Sequence, residues 1–286
     1  MVRFANQGHK IFAIDVGNKD EAIAWAKRLK QNQDLISDVF AIKIGLLDVI
    51  HHGLSIINQI GSEAGLPVIC DLKLAEIPTI AKDIAKKVAD AGAFGIVIQG
   101  FVGEEVLKMV QEATKESGLK IFLVSEMSHE PHGGFTHLHL EAIADIAKRY
   151  KVFGIIGPGN RESRLKIISE IIKDSDVRLI AAGIQKGTND EENARKAGAN
   201  LFIEGHIIRE ALEKNSVHSI EQPENQVRPI IKILGIFIIV GSLIAYLLSD
   251  KWLELGALGS IAVSGGFALT SCIISLFVNR KHNFFR

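Results

Sequence analysis

Cysteine is almost missing from this chain: among 286 residues there are two, Cys70 and Cys272. Cys70 falls in a short apolar strand-like run and Cys272 in a long apolar stretch near the C-terminus, so no disulfide framework is available and a reducing compartment fits. An excess of charge of one sign is missing as well. The 33 basic residues are balanced by 33 acidic ones, which removes the electrostatic footprint expected of a nucleic-acid-binding protein. The N-terminus carries no apolar core of a secretory signal and runs directly into a strand-like segment, so targeting is expected to rest on the tail.

What is present divides the chain at Pro229. Residues 233–249 hold no charged side chain, and neither do residues 255–278. Each run approaches the ~20 apolar residues that cross a bilayer core. Between them lies only a polar turn, residues 250–254, with Trp252 as an interfacial residue. The pattern predicts a two-helix transmembrane hairpin, and Gly256, Gly259, Gly265 and Gly266 would let its helices approach closely. The other reading is a buried hairpin of a soluble domain. Arg228 and Lys232 precede the hairpin and Arg280, Lys281 and Arg286 follow it, so the positive-inside rule puts both ends, and the large N-terminal domain, in the cytoplasm. The expected organisation is a folded domain over 1–213, a polar linker over 214–229 and a membrane hairpin with a basic tail over 230–286.

Within the first 213 residues, β-rich apolar runs alternate with amphipathic helical patterns. Strands are predicted over 10–16, 40–45, 67–73, 95–100, 120–127, 154–157, 178–184 and 201–205, with helices over stretches such as 20–29, 77–91, 104–116 and 140–150. Eight strand-helix units in this length fit a closed (β/α)8 TIM barrel, with an open doubly wound sheet as the alternative. In a barrel, chemistry gathers at the C-terminal strand ends.

The third strand ends in Asp71-Leu72-Lys73-Leu74-Ala75-Glu76-Ile77-Pro78. Residues two apart on a strand share a face, so Asp71 and Lys73 are expected to emerge side by side, either as a structural ion pair or as a reactive one. Asp15 ends the first strand and Lys43 the second, which completes an array of two acids and two ammonium groups around one mouth. Such an array suits a reaction in which negative charge moves. An ammonium stabilises a developing carbanion and then delivers a proton to it, while a fixed carboxylate repels one that is about to leave. No cofactor or metal is required.

At these residues the chain resembles the orotidine 5'-phosphate decarboxylase family. Asp71 to Pro78 is similar to the D-x-K-x-x-D-I signature, and Ser125-Glu126-Met127-Ser128-His129 to the T-E-M-S-H segment of archaeal members. Gly157-Pro158-Gly159-Asn160-Arg161 resembles the turn after strand six, and Ala13-Ile14-Asp15 and Ile42-Lys43-Ile44-Gly45 match the first two strand ends. Together these span roughly residues 10–212 in the family's order.

The resemblance implies decarboxylation of orotidine 5'-phosphate to UMP, with Lys73 as proton donor to C6 of the pyrimidine and Asp71 beside the departing carboxylate. Asp15 and Lys43 would contact the ribose, and Ser128 would bond the pyrimidine. The phosphate would sit on the turns Gly183-Ile184-Gln185-Lys186-Gly187 and Gly205-His206, whose backbone N–H groups suit an anion. It also implies a homodimer with shared active sites, in which Glu76 reaches the neighbouring one.

Several positions depart from the family pattern. Glu76 stands for an aspartate, Ile80 for a threonine and Ala182 for a proline, and the turn holding Gln185 is shortened. His206 replaces a phosphate-gripping arginine, exchanging a permanent bidentate charge for a side chain whose ordinary pKa lies near ~6.5. Lys186 is either a substitute cation or a solvated loop lysine. His129, His132, His137 and His139 crowd one loop, read as a lid or, on a looser pattern, as a metal site, whereas His51 and His52 are read as surface or packing residues. Magnesium-dependent sugar-phosphate relatives place an acid where Lys43 stands. A rival of another class is a weakened barrel that serves as a membrane-tethered phosphate-ligand-binding or scaffolding protein.

Overall fold

The structure, a computed structural model, describes residues 8–129 and 134–214. Its eight strands are β1 (Lys10–Ile14), β2 (Val39–Gly45), β3 (Val68–Leu74), β4 (Gly95–Gln99), β5 (Lys120–Val124), β6 (Gly154–Pro158), β7 (Arg178–Ala182) and β8 (Leu201–Glu204). They pair in sequence order, all parallel, and β8 closes on β1 through Lys10 opposite Phe202 and Ile11 opposite Ile203. The sheet is therefore a closed barrel rather than an open doubly wound one.

The helices are α1 (Lys19–Gln31), α2 (Gln33–Asp38), α3 (Leu46–His52), α4 (Ser55–Ala64), α5 (Pro78–Asp90), α6 (Glu104–Ala113), α7 (Leu140–Arg149), α8 (Glu162–Ile172), α9 (Asp190–Lys196) and α10 (206–214). Local chemistry sets their ends. The Asn18 side chain accepts from the Glu21 N–H to open α1, Pro78 occupies the first turn of α5, and Gly65 closes α4 in the left-handed region at φ +73°.

Strand alternation builds two apolar layers. Ile11, Ala41, Ile69, Val97, Phe122, Val124, Ile156, Ile180 and Leu201 fill the barrel. Phe12, Ile14, Ile42, Ile44, Ile96 and Phe202 face outward beneath the helices, and Cys70 is among them. Burial pushes the Cys70 thiol up to about 12, so it is an inert core residue. Four rings close the N-terminal floor: the Phe122–Phe153 centroids are 5.0 Å apart and those of Phe94–Phe153 5.3 Å, while Phe40 stacks on Phe153 at 5.9 Å. The aromatics fill the floor, and the buried charged side chains Lys43 and Asp71 enter the barrel toward its C-terminal end.

Three strands end clearly before the predicted bounds. Strand one stops at Ile14, strand five at Val124 and strand seven at Ala182, two or three residues short of their predicted ends. The chain divides into units of residues 1–216 and 217–286, and the barrel lies in the first. Among the described residues no helix is long and apolar enough to cross a membrane. The hairpin expected over 233–278 lies outside the described residues, as does the linker beyond Lys214.

Candidate active site

The site begins with a bulge in β3. Ile69 pairs with Gly95 and Cys70 with Ile96, but the next pair is Leu74 with Ile98. Asp71, Leu72 and Lys73 together therefore oppose Val97 alone, and Lys73 takes φ +43°. That conformation costs a residue with a Cβ about 1–3 kcal/mol and is held by its surroundings. Here it brings Lys73 Nζ to donate to Asp71 Oδ2 at 2.8 Å. Strand alternation gave the correct partners, but the bulge is what joins them.

Around Asp71 the charges alternate. Lys43 Nζ lies 3.0 Å from Asp71 Oδ2 and donates to Asp15 Oδ1 and Oδ2 at 3.1 and 3.2 Å. The inner pair is buried, with 8% of the Lys43 side chain and 6% of the Asp71 side chain exposed, whereas Asp15 at 49% and Lys73 at 42% face the mouth. Burial alone would raise the Asp71 carboxyl, but the Lys43 and Lys73 ammonium groups outweigh it and hold the acid below its ordinary value. Burial alone would likewise lower the Lys43 ammonium, and Asp71 and Asp15 more than offset it, so that group is raised. Both groups are thus fixed in their charged forms at neutral pH.

Lys43, Asp71 and Lys73 line one wall of a cleft of about 170 Å³, with Met127, Ser128 and His129 across from them and Val97, Val124 and Ile156 beneath. The wall that carries Ser128 is clamped from β6 and α8. Glu126, with no exposed side-chain surface, accepts from Arg161 Nη1 and Arg164 Nε, each at 2.7 Å. Arg161 also donates to the Met127 carbonyl, and Asn160 Nδ2 to the Ser128 carbonyl at 3.3 Å. Gly183, at φ +81°, packs against Ser128 so closely that a Cβ there would lie 2.4 Å from Ser128 Oγ.

The expected phosphate end is arranged differently. Ile184 turns its side chain toward Gly159, and the Gln185 N–H donates to Asp190 Oδ2 at 3.1 Å. Glu210 bridges the two turns, pairing with Lys186 and, at 2.8 Å, with His206 Nε2. His206 is 72% exposed. Glu76 is also exposed and accepts from the Ile77 N–H at 3.2 Å at the start of α5. The fold therefore gathers Asp15, Lys43, Asp71, Lys73, Ser128 and Gly183 and places Gly205 against Ala13. Glu76, Gln185 and His206 do not line this cleft.

Among the described residues no group of three or more His, Cys, Asp or Glu side chains is set to hold a metal ion; His132 lies outside those residues. His51 Nδ1 and His52 Nε2 both contact the Gly17 carbonyl, at 2.9 and 3.2 Å, and so pack the first loop. Sequence reasoning gave no role to Glu126, Arg164 or Arg209. The first was visible only as a letter within a motif. The two arginines sit at helix positions with no local signal.

A closed barrel whose first three strand ends hold a buried acid–ammonium chain over a small cleft is an enzyme scaffold of the proton-transfer class. The sequence profile described as orotidine 5'-phosphate decarboxylase / HUMPS family matches residues 10–220, and the chain belongs to that family. The orotidine 5'-phosphate decarboxylase of Pyrococcus furiosus is 37% identical over 201 residues, which cover 70% of this chain and 90% of that protein. The one from Methanosarcina mazei is 34% identical, covering 70% and 87%. Among solved structures, the decarboxylase of Pyrococcus horikoshii OT3 superposes with a TM-score of 0.62 at 31% identity, covering 72% of this chain and 96% of that one. The Methanocaldococcus jannaschii enzyme complexed with the inhibitor BMP gives 0.61 at 31% identity, covering 68% and 87%.

Proposed function

We infer that this protein decarboxylates orotidine 5'-phosphate to UMP, a step of pyrimidine biosynthesis. The observation that carries this reading is the chain Asp15–Lys43–Asp71–Lys73, complete and charged at the barrel mouth. Lys43 also separates the protein from relatives with an acid at that strand end. In the reaction the bond from C6 to the carboxylate breaks, carbon dioxide leaves, and the electron pair stays on C6. The Lys73 ammonium, aimed by Asp71, stabilises that pair and transfers its proton to C6, and solvent reprotonates the amine. Asp71, kept ionised by its two lysines, faces the substrate carboxylate and favours its departure, while Lys43 and Asp15 hold the network and meet the ribose. Ser128, fixed by Gly183 and the Asn160 contact, bonds the pyrimidine edge. Positioned acid catalysis of this kind contributes roughly 10²- to 10⁴-fold, and the fixed charges add to it. Ultraviolet-monitored turnover of orotidine 5'-phosphate tests the reading, with Lys73→Ala expected to fall by at least that factor; equal rates in the two proteins would overturn it.

Two further parts belong to this reading. The protein acts as a homodimer, supported by the apolar side chains Leu46, Leu47, Ile50, Ile77 and Ile80, which are 44–68% exposed on the helices and loops after β2 and β3. Glu76 lies among them and would complete the neighbouring site. The barrel, residues 1–213, is held on the cytoplasmic side of a membrane by the hairpin over 233–278, supported by the two uncharged runs and the basic residues at their outer ends.

A further inference from the structure

Helix α10 carries a basic side chain, Arg209, that stands outside the Glu210 bridge. Arg209 Nη1 is buried and has no hydrogen-bond partner among the described residues. A guanidinium nitrogen withdrawn from water without an acceptor is costly, and in a folded protein such a group is normally matched by an anion. Its place in the barrel says which anion. Ile203 lines the cleft, and Gly205, two residues further along, presents the same inward face at the mouth. A Cβ on Gly205 would meet the Ala13 carbonyl at 3.0 Å and Arg209 Nη2 at 3.7 Å. The guanidinium is therefore folded back along α10, as helical side chains lean toward their N-terminus, and lies over the joined ends of β1 and β8.

We propose that Arg209 is the cation that binds the substrate's phosphate monoester, taking the task that His206 would otherwise hold. The two side chains are three residues apart on one helix. His206 points out to solvent and is paired with Glu210, whereas Arg209 reaches inward beside the first-turn N–H groups of α10, which favour the same dianion. The arginine lost from the head of the helix is replaced from one turn along, with the bidentate geometry that histidine lacks. The proposal rests on the decarboxylase reading, which supplies the phosphate monoester as well as the nucleotide that carries it.

Calorimetric titration of the full chain with UMP, uridine and inorganic phosphate tests this. Arg209→Met is expected to weaken UMP binding by roughly 10- to 100-fold and leave uridine unchanged, with Arg209→Lys recovering part of the loss. Unchanged UMP affinity, or equal losses for UMP and uridine, would overturn the assignment. If Arg209→Met fails to fold, Arg209→Lys carries the test: a several-fold loss for UMP alone supports the assignment and no loss rejects it. A wild-type protein that binds UMP through Arg209 yet releases no carbon dioxide would overturn the decarboxylase reading and leave this one standing. Turnover with an unaltered KM in Arg209→Met would do the reverse.

Discussion

Asp71 and Lys73 touch each other, yet they stand in different energetic regimes. Asp71 shares a buried pair with Lys43, so Asp71→Ala leaves an ammonium in the barrel without its main counter-charge and is expected to cost about 3–5 kcal/mol. Lys73 is nearly half exposed, and its removal should cost under about 1 kcal/mol while abolishing turnover. Urea denaturation of the two variants checks the contrast; equal destabilisation would contradict it. The pH response follows from the same pair. The Asp71 carboxyl is depressed in the fold, so its stabilisation is present above the unfolded value of about 3.9 and is lost as pH falls through the lower folded value. The gap in urea midpoint between wild type and Asp71→Asn should therefore hold from about pH 5 to pH 8 and close below about pH 4. A gap that closed near neutrality would mean that Asp71 is not held ionised.

At the scale of elements, the clamp between the segment after β5 and helix α8 sets the cleft wall. Gly183→Ala forces a Cβ at positive φ against Ser128. Its expected effects are a stability loss of more than about 1 kcal/mol and, from a shift of about 1 Å in Ser128, a fall of the order of 10²-fold in kcat/KM. A variant with wild-type kinetics would remove Ser128 from the site. The strands were legible in the sequence because each alternates or runs apolar between turn residues, and Asp15, Lys43 and Asp71 were legible because a charge that ends a buried strand needs a partner. The bulge that joins Asp71 to Lys73 was not legible, since it shows only in the pairing of β3 with β4. Glu126 meets Arg161 and Arg164 across more than thirty residues of chain, a pairing that no local pattern encodes. The phosphate end was less legible: the shortened turn and the exchanged arginine leave Gln185 and His206 with Asp190 and Glu210 as partners, and the unpartnered Arg209 nitrogen emerges only in three dimensions.

For the whole molecule, the apolar helices after β2 and β3 and the uncharged runs near the C-terminus point to two associations. Ile80→Asp places a charge in the expected dimer surface. Sedimentation should then show a monomer with strongly reduced turnover, and an unchanged dimer would move the interface elsewhere. The full chain is expected to sediment with membranes through an alkaline wash, and a chain ending at Lys214 to stay in solution with its activity kept. Recovery of both in the soluble fraction would reject the anchor. The central claim concerns chemistry at C6, and the most direct measurement is carbon dioxide release from carboxyl-labelled orotidine 5'-phosphate in heavy water. One equivalent of carbon dioxide per UMP, with deuterium at C6 and both products lost in Lys73→Ala, is the predicted result. No release from the folded wild-type protein, or release undiminished in Lys73→Ala, would contradict it.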